Sequence, residues 1–223
     1  MKHSIYTNCK FFKQWQAFSL SEILVTMSVI GVVAAITIPG LMNNIQDKQF
    51  KEAAKKAYSQ ASQAIKQMQQ DNGGNIDSLI IDGAATFKNA FMPYFQVIKD
   101  CGNTNCVSFT DFPNIYKAIG KTPFPDGNWA RWGQFVTTDG MFWFFEGGPQ
   151  FCVDVNGYQK GPNVYGIDTF VFEYISGKGI LLPEGADGTA SASYRGSACS
   201  RTAPNPATDG VSCIYYVMMG INY

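Results

Sequence analysis

Apolar residues run almost without interruption from Phe18 to Leu41, and between Lys13 and Asp47 the only formal charge is Glu22. A helix of this length rises about 36 Å against a hydrocarbon core of roughly 30 Å. The pattern therefore predicts a membrane-spanning helix over 18–41. Beyond Pro39-Gly40 the apolar positions become spaced: Phe50, Ala54, Ala57, Ala61, Ala64, Ile65 and Met68 fall on one helical face, and Lys51, Lys55, Lys56, Lys66 and several glutamines on the other. The same helix is expected to continue over 42–72 as an amphipathic half, and Asp71-Asn72-Gly73-Gly74 is its stop signal. Pro39 lacks a backbone donor and predicts a kink or local melting there, not the end of the helix.

Residues 73–223 read as a single head. Asn75 to Asp100 carries one or two short helices, and its aromatics Phe87, Phe91, Tyr94 and Phe95 read as core, not as a ligand groove. Val107 to Asn128 is loop-like. Alternating and aromatic runs at Gln134 to Thr137, Met141 to Phe145, Gln150 to Val155, Thr169 to Ile175 and Gly179 to Leu182 predict an antiparallel meander of four or five strands, with Thr138-Asp139-Gly140 as a hairpin turn. A sheet must bury its apolar face, and the amphipathic half of the long helix is the surface on offer. Trp129, Trp132 and Trp143 are assigned to that core. Pro183 to Asp209 reads as an exposed loop, and Val211 to Met219 as a last strand. The fold class is α+β, a long N-terminal helix packed on an antiparallel sheet.

A lone carboxylate in a membrane segment costs on the order of 2 to 3 kcal/mol. Glu22 has no cationic neighbour in the segment, so the nearest candidate partner is the amine created by a cut ahead of Phe18. Ala17-Phe18-Ser19-Leu20-Ser21-Glu22, followed by an apolar run with Gly31 and Pro39, resembles the class III signal of type IV pilins and type II secretion pseudopilins. The resemblance covers the first quarter of the chain. It implies a leader, 1–17, removed between Ala17 and Phe18 by a membrane prepilin peptidase. It further implies N-methylation of Phe18, an assembly role for Glu22, and helix loosening at Gly31 and Pro39. Two positions depart from the pattern: Ala17 stands where Gly is usual, and Ser21 is less apolar than the residue usually found there. As the family implies, the subunit would polymerise with itself or with homologous pilins through its N-terminal helix, in a type IV pilus or a type II secretion filament. Its partners would be the prepilin peptidase and the inner-membrane assembly machinery.

The leader carries Lys2, Lys10 and Lys13 and no acid, which keeps this end cytoplasmic and the head outside the bacterial inner membrane. Its loss leaves 14 of 17 basic residues against 17 acids, a net charge of −3 before the new amine is counted. That balance gives no case for nucleic-acid binding. The only histidine, His3, leaves as well. The mature chain then has no Ser-His-Asp or Cys-His site and no His-ligated metal, and with no G-x-S-x-G motif present the expectation is a protein that is not an enzyme. The alternative is a signal-anchored extracytoplasmic binding protein that keeps its leader and holds a sugar or peptide on its aromatic head.

Outside the membrane disulfides are permitted. Cys101 with Cys106 would close a tight loop and Cys199 with Cys213 would clamp the C-terminal segment, which leaves Cys152 as a buried thiol or a partner in another pairing. A zinc site ranks below this, since no C-x-x-C pair occurs. No cofactor is required by any motif. Asp154, Asn156, Asn163 and Asp168 do place hard oxygen donors on one Gly-rich loop, the donor set calcium takes. Major pseudopilins carry a calcium loop in the head, but the spacing here is neither theirs nor that of an EF-hand. The same residues are ordinary turn formers, and the turn-only reading is preferred.

Overall fold

The structure is a computed structural model that describes residues 19–120, 122–124, 127–200 and 210–223. The chain divides into two units, the first ending at Asn44 and the second running from Ile45 to Tyr223. Helix α1 (Leu20–Asp71) contributes to both. The helix runs unbroken across Gly31 and Pro39. Gly73 and Gly74 follow it with positive φ, 72° and 98°, a backbone that Gly adopts without a Cβ penalty.

In the second unit, α2 (Asp77–Ile81) and α3 (Ala84–Phe91) supply the expected short helices, and a 3-10 turn at Met92–Tyr94 accommodates Pro93 near its start. Six strands follow in a continuous antiparallel meander, ordered as in the sequence: β1 (Val97–Asp100), β2 (Gln134–Thr137), β3 (Phe142–Phe145), β4 (Gln150–Asp154), β5 (Thr169–Ile175) and β6 (Ile180–Pro183). The expected meander thus gains one strand, the mostly exposed edge strand β1.

Both faces of this sheet are buried. Phe135, Trp143, Phe145, Phe151, Val153, Phe170 and Phe172 point to one side, where the predicted face of α1 (Phe50, Ala54, Ala57, Ala61, Ala64, Ile65, Met68) packs with Phe87 and Phe91. Alanine at four of those seven positions lets the helix lie close to the aromatic layer, whose rings meet both edge-on, as with Phe87 on Phe145 at 5.7 Å, and stacked, as with Phe145 on Phe151 at 5.5 Å. The alternate residues Phe142, Phe144, Cys152 and Val171 point the other way, into a second core with Phe112, Tyr116, Phe124 and Tyr165. This is why β3 reads Phe-Trp-Phe-Phe with no polar alternation.

Four expectations change. The Val107 to Asn128 segment contains a short helix, α4 (Phe112–Ile115), and supplies much of the second core. Pro183 to Asp209 is not simply exposed: its described part holds a 3-10 turn and α5 (Arg195–Ala198), and buries Glu184, Thr189, Ser191 and Cys199. Val211 to Met219 is no strand. Residues Cys213–Met219 form helix α6, which buries Cys213, Ile214 and Val217 on one face and stops at Gly220 in the left-handed conformation. Of the described tryptophans only Trp143 is fully buried; Trp132 is exposed.

Candidate functional site

Ala17 and Phe18, the expected processing and methylation positions, lie outside the described residues, as does the 1–17 leader. The description begins at Ser19, and there Glu22 finds a local partner. The Ser19 N–H and hydroxyl both donate to Glu22 Oε2, at 2.8 and 2.9 Å, and the Glu22 N–H donates back to Ser19 Oγ at 3.3 Å. Ser19-Leu20-Ser21-Glu22 is therefore a capping box: the carboxylate satisfies backbone donors that a helix start leaves unpaired. The signal was in the sequence, Ser followed three residues later by Glu.

From Leu20 to Leu41 the apolar side chains are exposed, Ala34 partly so, and this is the one described helix long and apolar enough to cross a membrane. Its polar side chains turn inward on their own backbone. Thr26 Oγ1 donates to the Ile23 carbonyl, Ser28 Oγ to Leu24 and Thr37 Oγ1 to Val33, at 2.8 to 3.0 Å. A segment that satisfies its own donors can enter a dry environment at little cost. Gly31 meets nothing within 4 Å of where a Cβ would stand.

The second candidate is the loop between β4 and β5. It contains a cis Gly161-Pro162 bond, and Asn163 has φ 53°. Asp154 and Asp168 are both fully buried. Asp154 Oδ1 accepts the N–H groups of Asn156 and Gly157 at 3.2 and 2.9 Å, and its Oδ2 accepts the Tyr116 hydroxyl at 3.0 Å. Asp168 accepts the N–H groups of Asn163 and Val164 at 2.8 and 2.7 Å. Asn156 Nδ2 donates to the Lys160 and Gly161 carbonyls, and Asn163 Nδ2 to that of Tyr158. All four predicted residues thus belong to one hydrogen-bonded loop. Tyr116 comes from the second core, and no local sequence signal announces it. Burial drives the Asp154 carboxyl well above its usual range, and the Asp168 charge adds to the rise. Burial also pushes Asp168 up to about 6, against the pull of the Val164 and Asn163 N–H groups. No group of three or more His, Cys, Asp or Glu side chains converges among the described residues.

The cysteines pair as expected, Cys101 with Cys106 and Cys199 with Cys213, and Cys152 is a buried free thiol. A third polar cluster had no sequence signal. Glu173 on β5 accepts the Ala190 N–H at 2.8 Å, and the fully buried Glu184 accepts the Ser191 N–H at 2.7 Å, so two neighbouring carboxylates hold the 185–191 loop. Burial, with the Glu173 carboxylate beside it, pushes Glu184 up to about 7. On the first core's edge a cavity of about 480 Å³ is lined by Gln60, Gln63, Gln67, Tyr94, Phe95 and Thr138. Its charged rim is a Lys56–Asp139 ion pair at 2.8 Å. Of the expected aromatic core stripe, Phe87 and Phe91 are fully buried while Tyr94 and Phe95 reach this cavity. Comparison of the chain with protein-family models, with curated proteins and with solved structures returns no match.

Proposed function

We propose that this chain is a structural subunit of an extracytoplasmic filament of the type IV pilus or type II secretion kind, processed ahead of Phe18 and assembled through α1. The observation that carries the reading is the exposed apolar stretch Leu20 to Leu41, interrupted by one carboxylate and belonging to the same helix that buries its Phe50 to Met68 face under a sheet. In a bilayer this stretch is solvated by lipid. Outside one, another apolar surface must cover it, as the helices of neighbouring subunits in a filament would. Glu22 of one subunit would neutralise the Phe18 amine of its neighbour and so set the stagger, because an unpaired buried charge costs roughly 3 to 5 kcal/mol.

The test is intact mass and N-terminal analysis of membrane-extracted protein made with and without a prepilin peptidase. A chain beginning at N-methylated Phe18 is the expected result. Retention of Met1 to Ala17 despite the peptidase overturns it and leaves the signal-anchored binding protein. The cavity beside Gln60, Gln63 and Gln67, lined mainly by neutral amides, hydroxyls and rings, supports that second reading for an uncharged, hydroxyl-rich ligand.

The capping box makes the Glu22 prediction sharper. Gln also serves at this capping position, so Glu22→Gln keeps the helix start and removes the charge. Filament yield should fall by at least tenfold in Glu22→Gln as in Glu22→Ala, read by sedimentation of sheared filaments. Wild-type assembly of Glu22→Gln would reduce Glu22 to a cap.

A further inference from the structure

We propose that residues 185–191 form a proton-operated latch on the head: one proton shared by Glu173 and Glu184 holds the loop shut, and its loss frees the loop. The first ground is geometry. The β5–β6 register sets Glu173 opposite Leu182, so Glu184, two residues further on, takes the diagonal position on the same face. The two carboxylates grip adjacent backbone donors of the loop: Glu173 Oε2 accepts the Ala190 N–H at 2.8 Å and Glu184 Oε1 the Ser191 N–H at 2.7 Å. The acid side chains are also in hydrogen-bonding contact with each other. An ionised carboxylate can only accept, so that contact requires a proton on one of the two. Glu184 Oε2 is buried without a donor from any described neighbour, which marks where such a proton sits.

The second ground is the absence of compensation. Among the described residues no lysine or arginine pairs with either acid. From β4, the Cys152 thiol lies within electrostatic reach of Glu184, but burial drives it well above its usual range and it stays neutral; Glu146, which acts on the same thiol, adds a third acid. From the loop, Asp187 is already paired with Arg195, whose guanidinium covers the Tyr215 ring of α6. Lys178, in the turn between β5 and β6, comes toward the loop at Gly188. Lysine and arginine keep their charge from about pH 5 to 8, so the acid pair is the group of this neighbourhood that titrates there.

With both acids ionised, two like charges touch in a site that offers N–H dipoles but no cation, and water must enter to solvate them. The loop is built to yield as a unit. Its internal bonds are short-range: the Gly185 N–H donates to Thr189 Oγ1 at 3.0 Å, and that hydroxyl donates to the Ala186 carbonyl at 2.8 Å. Shut, it lies against the start of α6, where a Cβ on Gly185 would meet that of Ser212 at 2.8 Å. Opening therefore uncovers the start of α6 and the end of the sheet's second face. Burial and the Glu173 contact raise Glu184 from an ordinary 4.5 to about 7. The open loop releases its proton near the lower value and the shut loop near the higher, so opening becomes easier through that window and levels off above it. From pH 5 to pH 8 the opening equilibrium should rise about fiftyfold. The latch does not depend on the filament reading.

The test is hydrogen exchange of the full chain in detergent at pH 5 and pH 8, read by mass spectrometry on peptides spanning 185–191 and corrected for the intrinsic amide rate at each pH. The Ala190 and Ser191 amides should open about fiftyfold more often at pH 8, and there they should exchange well before those of β3 and β4. Glu184→Gln keeps an acceptor for the Ser191 N–H and gains a donor toward Glu173, so it imitates the protonated pair, and its loop should stay shut equally at both values. Glu173→Gln, at a partly exposed position, should cut the response by roughly threefold or more and keeps the proposal testable if Glu184→Gln does not fold. A wild-type loop whose corrected exchange is the same at both pH values overturns the proposal, and so does a full response in either variant. Loop amides that open only together with β3 and β4 also overturn it, since the proton would then stabilise the whole head and latch nothing.

Discussion

Glu184 is buried among the strands' second face with one carboxylate oxygen, Oε2, lacking a partner, and Glu173 lies against it. Its ordinary value near 4.5 rises to about 7 in the fold. The native state therefore holds a proton that the unfolded chain has already released, so stability present below pH 4.5 is lost as the pH rises to about 7, by about 3 kcal/mol. Glu184→Gln removes that dependence. Denaturant unfolding at pH 5 and pH 8 should show wild type losing more stability between the two than the variant. The other single-residue determinant is Ser19, whose side chain gives Glu22 a role at the helix start before any neighbour is considered.

Among the elements, α1 and β3 were the most legible. Seven buried positions of α1 match the apolar stripe in the sequence, because one amphipathic face against one sheet makes period and burial coincide. Ala61 lies within that contact, fully buried. Ala61→Leu should therefore overpack the Phe and Trp layer and cost about 1 to 3 kcal/mol, checked by thermal unfolding, whereas the same change at exposed Gln63 should cost little. Helix α6 was misread because Val, Ile and Tyr favour strands in isolation. Its register is imposed from outside: Cys213 is bonded to Cys199, Ser212 Oγ donates to the Arg195 carbonyl, and Ile214 and Val217 meet the first core three residues apart. Gly220 was the local helix-stop signal, and the β-branched run masked it.

At the scale of the molecule, the segment after β6 is tied down by the Cys199–Cys213 bond, which spans 14 residues. A loop of that length loses enough chain entropy on closure to be worth about 3 kcal/mol. The Cys199→Ser, Cys213→Ser double variant should lose that much in denaturant unfolding. It should leave Phe18 processing unchanged, since the peptidase substrate would be the N-terminal segment. The two units also divide the work proposed for the chain: the continuous exposed apolar run from Leu20 to Leu41 lies in the first, while the sheet, both disulfides and the Asp154 and Glu184 clusters belong to Ile45–Tyr223.

What the sequence by itself determined is local and periodic. The long apolar helix, its amphipathic continuation, the glycine stop, the hairpin order of β2 to β6 and both cysteine pairings follow from spacing, composition and turn chemistry. What only the tertiary structure decided is which residues distant in sequence share a dry environment. Burial of both sheet faces, α6 in place of a strand, Tyr116 and Thr169 beside Asp154, and Glu184 against Glu173 all depend on contacts across the fold. The physical reason is desolvation: a carboxylate's cost and its need for a partner are set by what excludes water around it, and that is supplied by chain far away in sequence.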